Sequence, residues 1–196
     1  MNTTGKPALL VIDMQNDFVL PGAPLRVAGA LETVPAIQRI LAWFRENGLP
    51  VLHVVRAYRP DGADVEITRR ERFRETGGFL VRGTAGWEIV EPLRPRPGEP
   101  LIVKPRFSGF WETELASRLK ALAVGRLALT GTQLPYCVRS TALDGVSLGY
   151  PVAVLRDGCS SQTRDIHGAN LRDLENAGIP CPATEAFIRT SVPPFE

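Results

Sequence analysis

A three-layer, Rossmann-like α/β fold, with a six-stranded parallel sheet flanked by helices on both faces, is what this sequence predicts. Two observations carry the prediction. Short apolar runs bounded by Gly, Pro or charged residues alternate with longer stretches whose apolar residues recur at helical spacing. Strands separated by helices of this length need right-handed crossovers, which put helices on both faces of a parallel sheet. With 196 residues, 44% of them apolar, the chain can bury about 70% of its unfolded surface. One domain over 1–196 is expected.

Taken in order, residues 8–12 read as the first buried strand. Residues 31–47 read as an amphipathic helix, with Val34, Ile37, Ile40, Leu41 and Phe44 on one face and Gly48 closing it. The second strand is 51–55. Residues 57–100 form a long connection punctuated by Gly and Pro, with short helices predicted at 65–75 and 86–93. A third strand at 101–103, a helix at 112–123 and a fourth strand at 126–130 follow. A helix over 136–148 then begins beside Cys137. The remaining elements are a fifth strand at 152–155, a helix at 165–177 ended by Gly178, and a short sixth strand at 179–183.

Composition excludes several classes of function. A net charge of +2, from 23 basic and 21 acidic residues, provides no broad field for nucleic acid or an anionic membrane, so a small-molecule partner is expected. Cys137, Cys159 and Cys181 form no CxxC pair and lack histidine neighbours, which argues against a zinc site and fits a reducing cytoplasm. The apolar run at 8–12 is too short for a signal-peptide core or a membrane span. Neither GxGxxG after a strand nor GxxxxGK[ST] occurs, so no dinucleotide or triphosphate is expected.

In a parallel α/β sheet, ligands bind outside the carboxyl ends of the strands. Here the first strand ends in Asp13, the third in Lys104, and the fourth leads to Cys137. A helix start favours anions, which predisposes a thiol there to ionise. Each residue also has a structural reading: a buried inert cysteine, a turn-forming aspartate, a strand-end lysine. An acid, a base and a thiol converging on one edge weigh against all three structural readings together.

The segments Val11-Ile12-Asp13-Met14-Gln15-Asn16-Asp17-Phe18, Val103-Lys104-Pro105-Arg106-Phe107-Ser108 and Gly131-Thr132-Gln133-Leu134-Pro135-Tyr136-Cys137-Val138-Arg139 resemble, in order, the three signatures of the isochorismatase-like cysteine hydrolases. That family includes nicotinamidases, N-carbamoylsarcosine amidohydrolase, and ureidoacrylate and biuret hydrolases. The resemblance implies a triad of Cys137, Asp13 and Lys104, a cis peptide at Thr132–Gln133, and an oxyanion held by the backbone N–H groups of Gln133 and Cys137. It further implies cofactor-free hydrolysis of an amide, carbamoyl or ureido C–N bond through a thioester, and a dimer or tetramer.

Departures from the family pattern narrow the reading. Nicotinamidases carry an Asp and two histidines for a metal after the second strand. Residues 56–64 here contain no histidine, so neither a metal nor nicotinamide is expected. Retention of Cys137 favours C–N hydrolysis over vinyl ether cleavage, which needs no thiolate. Phe18, Phe107, Gln133 and Tyr136 are the candidate pocket walls. The Arg69-Arg70-Glu71-Arg72-Phe73-Arg74 run reads as a solvated face in preference to a carboxylate clamp, and His53 as a core histidine. Arg139 and Asp144 read as fastening the cysteine's helix. A redox sensor using Cys159 as the resolving thiol, a non-catalytic binding protein and a vinyl ether hydrolase remain as alternatives.

Overall fold

Every residue from Ala8 to Ile12 is buried, because both faces of this strand are covered. Leu9 and Val11 pack into one apolar cluster, while Ala8, Leu10 and Ile12 pack into a second on the opposite face. The computed structural model describes residues 5–190. Among these, β1 (Lys6–Ile12), β2 (Val51–Arg56), β3 (Leu101–Lys104), β4 (Val124–Thr132) and β5 (Val152–Ser160) form one parallel sheet in the order β3-β2-β1-β4-β5. The order reverses between β1 and β4, which opens a crevice at the carboxyl ends of those two strands.

Helices α1 (Asn16–Val19), α2 (Ala30–Glu46), α3 (Arg70–Glu75) and α7 (Thr184–Arg189) contribute to the first cluster, through residues such as Phe18, Ile37, Phe44, Phe73 and Phe187. Helices α4 (Leu115–Ala121), α5 (Arg139–Ser147) and α6 (Arg164–Asn176) contribute Leu115, Leu119, Ala142 and Leu174 to the second. None of the described helices is long and apolar enough to cross a membrane.

Two expected elements are absent among the described residues. Residues 179–183 do not form a sixth strand, although β5 donates from the N–H groups of Val154 and Arg156 to the carbonyls of Pro180 and Pro182. Proline has no N–H to return, so the segment runs beside β5 without completing a ladder. The helix expected at 86–93 is reduced to one 3-10 turn, Glu91–Leu93. Its preceding carbonyls are already used: Gly86 and Glu88 accept from the N–H groups of Asp17 and Asn16, and Val90 N–H donates to the Met14 carbonyl.

His53 is the core histidine of the sheet, fully buried on β2. Its Nε2 lies 3.0 Å from Glu99 Oε2, and a carboxylate can only accept, so Nε2 carries the proton. Glu99 also accepts from Arg45 Nε at 2.7 Å and Nη2 at 2.8 Å. Burial opposes the charge on Glu99, but bonds from Arg45, the Arg96 N–H and His53 outweigh it and hold the carboxyl at about 2. Burial also holds His53 below its ordinary value of 6.5.

Both folded-state values are depressed, so the stability these groups contribute is present above the unfolded values and lost as pH falls. The melting temperature is expected to drop once pH goes below 6.5, the ordinary histidine value, and further below 4.5, the ordinary carboxyl value. Glu99→Gln should melt lower than wild type at neutral pH, with the gap narrowing on acidification. Calorimetry across this range checks it, and a gap that does not change with pH would contradict the assignment.

Candidate active site

The carboxyl ends of β1 to β4 place four long or reactive side chains around one buried point. Ile12 ends β1, and Asp13 follows with φ of 51°, a left-handed conformation that Asp tolerates better than most residues. Lys104 ends β3 and Arg56 ends β2, paired with each other in register. β3 and β1 are two strand spacings apart, about 10 Å, a span that calls for a side chain as long as lysine. Lys104 Nζ reaches Asp13 Oδ2 at 2.7 Å, both side chains being fully buried. It also donates to Cys137 Sγ at 3.5 Å and to the Arg106 carbonyl at 3.2 Å.

Gly131 is what lets β4 close against β1. Its φ is +122°, and a Cβ there would fall 2.0 Å from the Ile12 carbonyl oxygen. Beyond it, the Thr132–Gln133 peptide is cis. The buried Thr132 hydroxyl accepts from Ser160 at 2.6 Å, and Gln133 is half-buried.

Cys137 sits in a π-helical turn, Leu134–Val138, ahead of α5. The helix expected from residue 136 therefore begins at Arg139, because the Val138 N–H bonds five residues back, to the Gln133 carbonyl. The turn is anchored from its far side: the Thr141 hydroxyl donates to the Cys137 carbonyl at 2.7 Å and accepts from the Gly109 N–H at 2.9 Å. Arg139 bonds Asn170 and Asp173 and so fastens this segment to α6.

Burial holds the Lys104 pKa below its ordinary value, against the raising influence of Asp13 and Cys137, while Arg56 lowers it further. Asp13 Oδ1 has no hydrogen-bond partner among the described residues, which leaves one carboxylate oxygen free to take up a proton. Cys137 is 2% exposed.

Arg56 escapes a reading of the sequence alone. It is fully buried, and its Nη2 lies 3.7 Å from Cys137 Sγ. Nη1 bonds the Glu66 carboxylate and, at 3.2 Å, the Tyr58 hydroxyl. Burial raises the Tyr58 pKa, so Tyr58 keeps its proton and donates it to the other Glu66 oxygen. The only signal available in sequence was a charged residue closing an apolar strand, the same signal that marks Asp13 and Lys104. Gln15 holds this strand end as a peptide would: its Oε1 accepts from the Arg56 N–H at 2.9 Å and its Nε2 donates to the Arg56 carbonyl at 2.9 Å.

Of the expected pocket walls, Phe18 is buried in α1 and Phe107 is half-buried. Tyr136 is 50% exposed at the mouth, its ring 5.9 Å from that of Phe107. The arginine run of α3 is exposed at Arg70, Arg72 and Arg74, whereas Arg69, just before the helix, is half-buried and turned toward Phe18 and Phe107. Among the described residues no three His, Cys, Asp or Glu side chains come together as metal ligands.

The isochorismatase domain model matches residues 7–186. A "probable inactive nicotinamidase" of Arabidopsis thaliana is 42% identical over 178 residues, which cover 89% of this chain and 91% of that protein. A maleamate amidohydrolase of Pseudomonas putida is 31% identical over 175 residues, covering 87% and 80%. Among solved structures, an isochorismatase family protein from Desulfovibrio vulgaris superposes with a TM-score of 0.90 at 48% identity, covering 93% of this chain and 96% of that one.

Proposed function

The chain belongs to the isochorismatase family, and on that footing we propose that it is a cysteine hydrolase that cleaves an amide, carbamoyl or ureido C–N bond of a small molecule through a thioester on Cys137. One observation carries the reading: a fully buried Lys104 contacts both the Asp13 carboxylate, at 2.7 Å, and the Cys137 sulfur, at 3.5 Å. The maleamate amidohydrolase among the relatives supports the choice of bond.

Asp13 takes the thiol proton, and the Cys137 thiolate attacks the carbonyl carbon. The backbone N–H groups of Gln133 and Cys137 hold the oxyanion. Asp13 then protonates the departing nitrogen, which leaves as ammonia or an amine, and the thioester remains. A water molecule, deprotonated by Asp13, attacks the thioester and releases the carboxylic acid and the thiol. Lys104 and Arg56 provide two cations beside the sulfur while Asp13 passes its proton in either direction.

Cys159 fits poorly as a resolving thiol for a redox sensor. It is 3% exposed, burial raises its pKa, and its thiol points to the Leu129 carbonyl at 3.9 Å. Ammonia release from a panel of primary amides, N-carbamoyl compounds and ureas tests the proposal. Release is expected from at least one of these classes. A protein that releases none, while peroxide forms a disulfide at Cys137, would favour the sensor instead.

A further inference from the structure

We propose that Glu66 is a positioning residue for the nucleophile: together with Tyr58 it holds one arm of the Arg56 guanidinium, and so keeps the other arm on the Cys137 sulfur. The inference rests on the reading of Cys137 as the nucleophile and adds the group that sets its reactivity.

Arg56 ends β2, Glu66 lies in the connection that follows, and the two meet as a buried ion pair. Arg56 is fully buried, and Tyr58 and Glu66 are only 2% and 8% exposed. Both carboxylate oxygens are used, Oε1 by Arg56 Nη1 and Oε2 by the Tyr58 hydroxyl, whose own oxygen accepts from Nη1 at 3.2 Å. Nη1, Glu66 and Tyr58 thus close a ring of hydrogen bonds. The rings of Phe107 and Tyr58, centred 5.2 and 5.9 Å from the guanidinium carbon, limit its movement further.

The rest of the guanidinium is left differently. Nε has no hydrogen-bond partner among the described residues, and Nη2 rests on the Cys137 sulfur at 3.7 Å. An arginine placed for packing alone would have its buried N–H groups satisfied. Here one arm is tied down twice and another meets a sulfur that accepts weakly as a thiol and strongly as a thiolate. That arrangement favours the thiolate.

Other charged and titratable groups around the sulfur are accounted for. Lys104 from β3 touches it, and Asp13, after β1, faces it through Lys104. On β5 the Cys159 thiol points to the Leu129 carbonyl, and on α6 Asp173 pairs with Arg139. Arg69 reaches Glu66 only through the Tyr58 hydroxyl, at 3.4 Å. A cation held at the sulfur eases ionisation, whereas the charge of Glu66 opposes it. What Glu66 gives the thiol is therefore its hold on Arg56, and substitution can separate that hold from its charge.

Glu66→Ala removes both the hold and the charge. Glu66→Gln removes the charge but keeps an oxygen for Nη1 and an amide N–H for the Tyr58 oxygen. The test follows the rate of iodoacetamide alkylation at Cys137 against pH, with the modified residue located by peptide mapping. Glu66→Ala is expected to move the profile up by about one pH unit, which is about a tenfold lower rate at neutral pH. Glu66→Gln should keep the wild-type profile or move it lower, Tyr58→Phe should move it up by a smaller step, and the exposed control Glu71→Ala should leave it in place. If Glu66→Ala does not fold, Tyr58→Phe and the double variant Arg56→Met/Glu66→Gln, in which neither partner is left as an unpaired buried charge, carry the test. Both should move the profile up, the double variant farther.

A merely structural Glu66 would lower the melting temperature and leave the profile unmoved. An unmoved profile in folded Glu66→Ala or in the double variant overturns the proposal, as does a Glu66→Gln profile that rises as far as that of Glu66→Ala. Ammonia release by the same proteins separates this from the hydrolase reading. Shifted alkylation in a protein that hydrolyses no amide, carbamoyl compound or urea would remove that reading and leave Glu66 as the residue that positions Arg56 on the thiol.

Discussion

Cys137→Ala is expected to abolish amide hydrolysis, lowering kcat by about 10⁴-fold or more, the loss seen when a nucleophile is removed from a catalytic triad. The fold should persist, because the side chain lost is small and the turn is held elsewhere, by Thr141 on the Cys137 carbonyl and by Arg139 on α6. Cys137→Ser should fare little better, since a serine hydroxyl is a far weaker acid than a thiol and a poorer nucleophile without a strong base beside it. Steady-state ammonia release and circular dichroism on the same preparations check this. A folded Cys137→Ala protein with wild-type activity would remove the thiol from the mechanism. A serine variant retaining most of the rate would indicate an ordinary hydroxyl nucleophile.

Asp13→Asn is the second large effect. The amide is isosteric but can neither take the thiol proton nor deliver it to the leaving nitrogen, so kcat should fall about 10²- to 10⁴-fold, the usual contribution of a positioned acid–base group. Stability also changes, because Lys104 loses the carboxylate 2.7 Å away in a fully buried setting. An uncompensated buried cation would cost about 3–5 kcal/mol. Burial already lowers the Lys104 pKa, so without Asp13 the lysine is expected to shed its proton and limit that loss. The variant should therefore fold, with a lower melting temperature that recovers as pH rises. If Asp13→Asn kept its activity at a lowered melting temperature, Asp13 would be a structural partner of Lys104 alone.

Much of this was legible in sequence, for identifiable reasons. Five strands appear as apolar runs because parallel strands are buried on both faces. Their ends did not: β4 continues through Gly131 and Thr132, and β5 bulges after Val154 before pairing resumes at Cys159 and Ser160, beyond the point where the apolar pattern stops. The sixth strand failed on Pro180 and Pro182, whose missing N–H groups outweigh the apolar residues around them. The four-residue α1 and six-residue α7 are too short for periodicity to register.

At the site, Asp13, Lys104 and Cys137 stood out because strand ends point to a common edge, and they meet in a buried cluster. Arg56 did not stand out, since its partners Tyr58 and Glu66 lie in a connection without periodicity. Arg69 was visible as one arginine of a run. Only tertiary packing distinguishes it from Arg70, Arg72 and Arg74, by turning it onto Phe18 and Phe107 while the others face solvent.

The central claim is that turnover passes through the Cys137 sulfur. Its most direct test is stoichiometric alkylation with iodoacetamide, following the modified fraction of each cysteine by peptide mapping alongside residual hydrolysis of the best substrate. Activity should fall in proportion to modification of Cys137 and reach zero at one equivalent. Cys159 and Cys181 should remain unmodified, since burial raises the pKa of both thiols, that of Cys181 to about 11. Hydrolysis that survives complete modification of Cys137 would contradict the account.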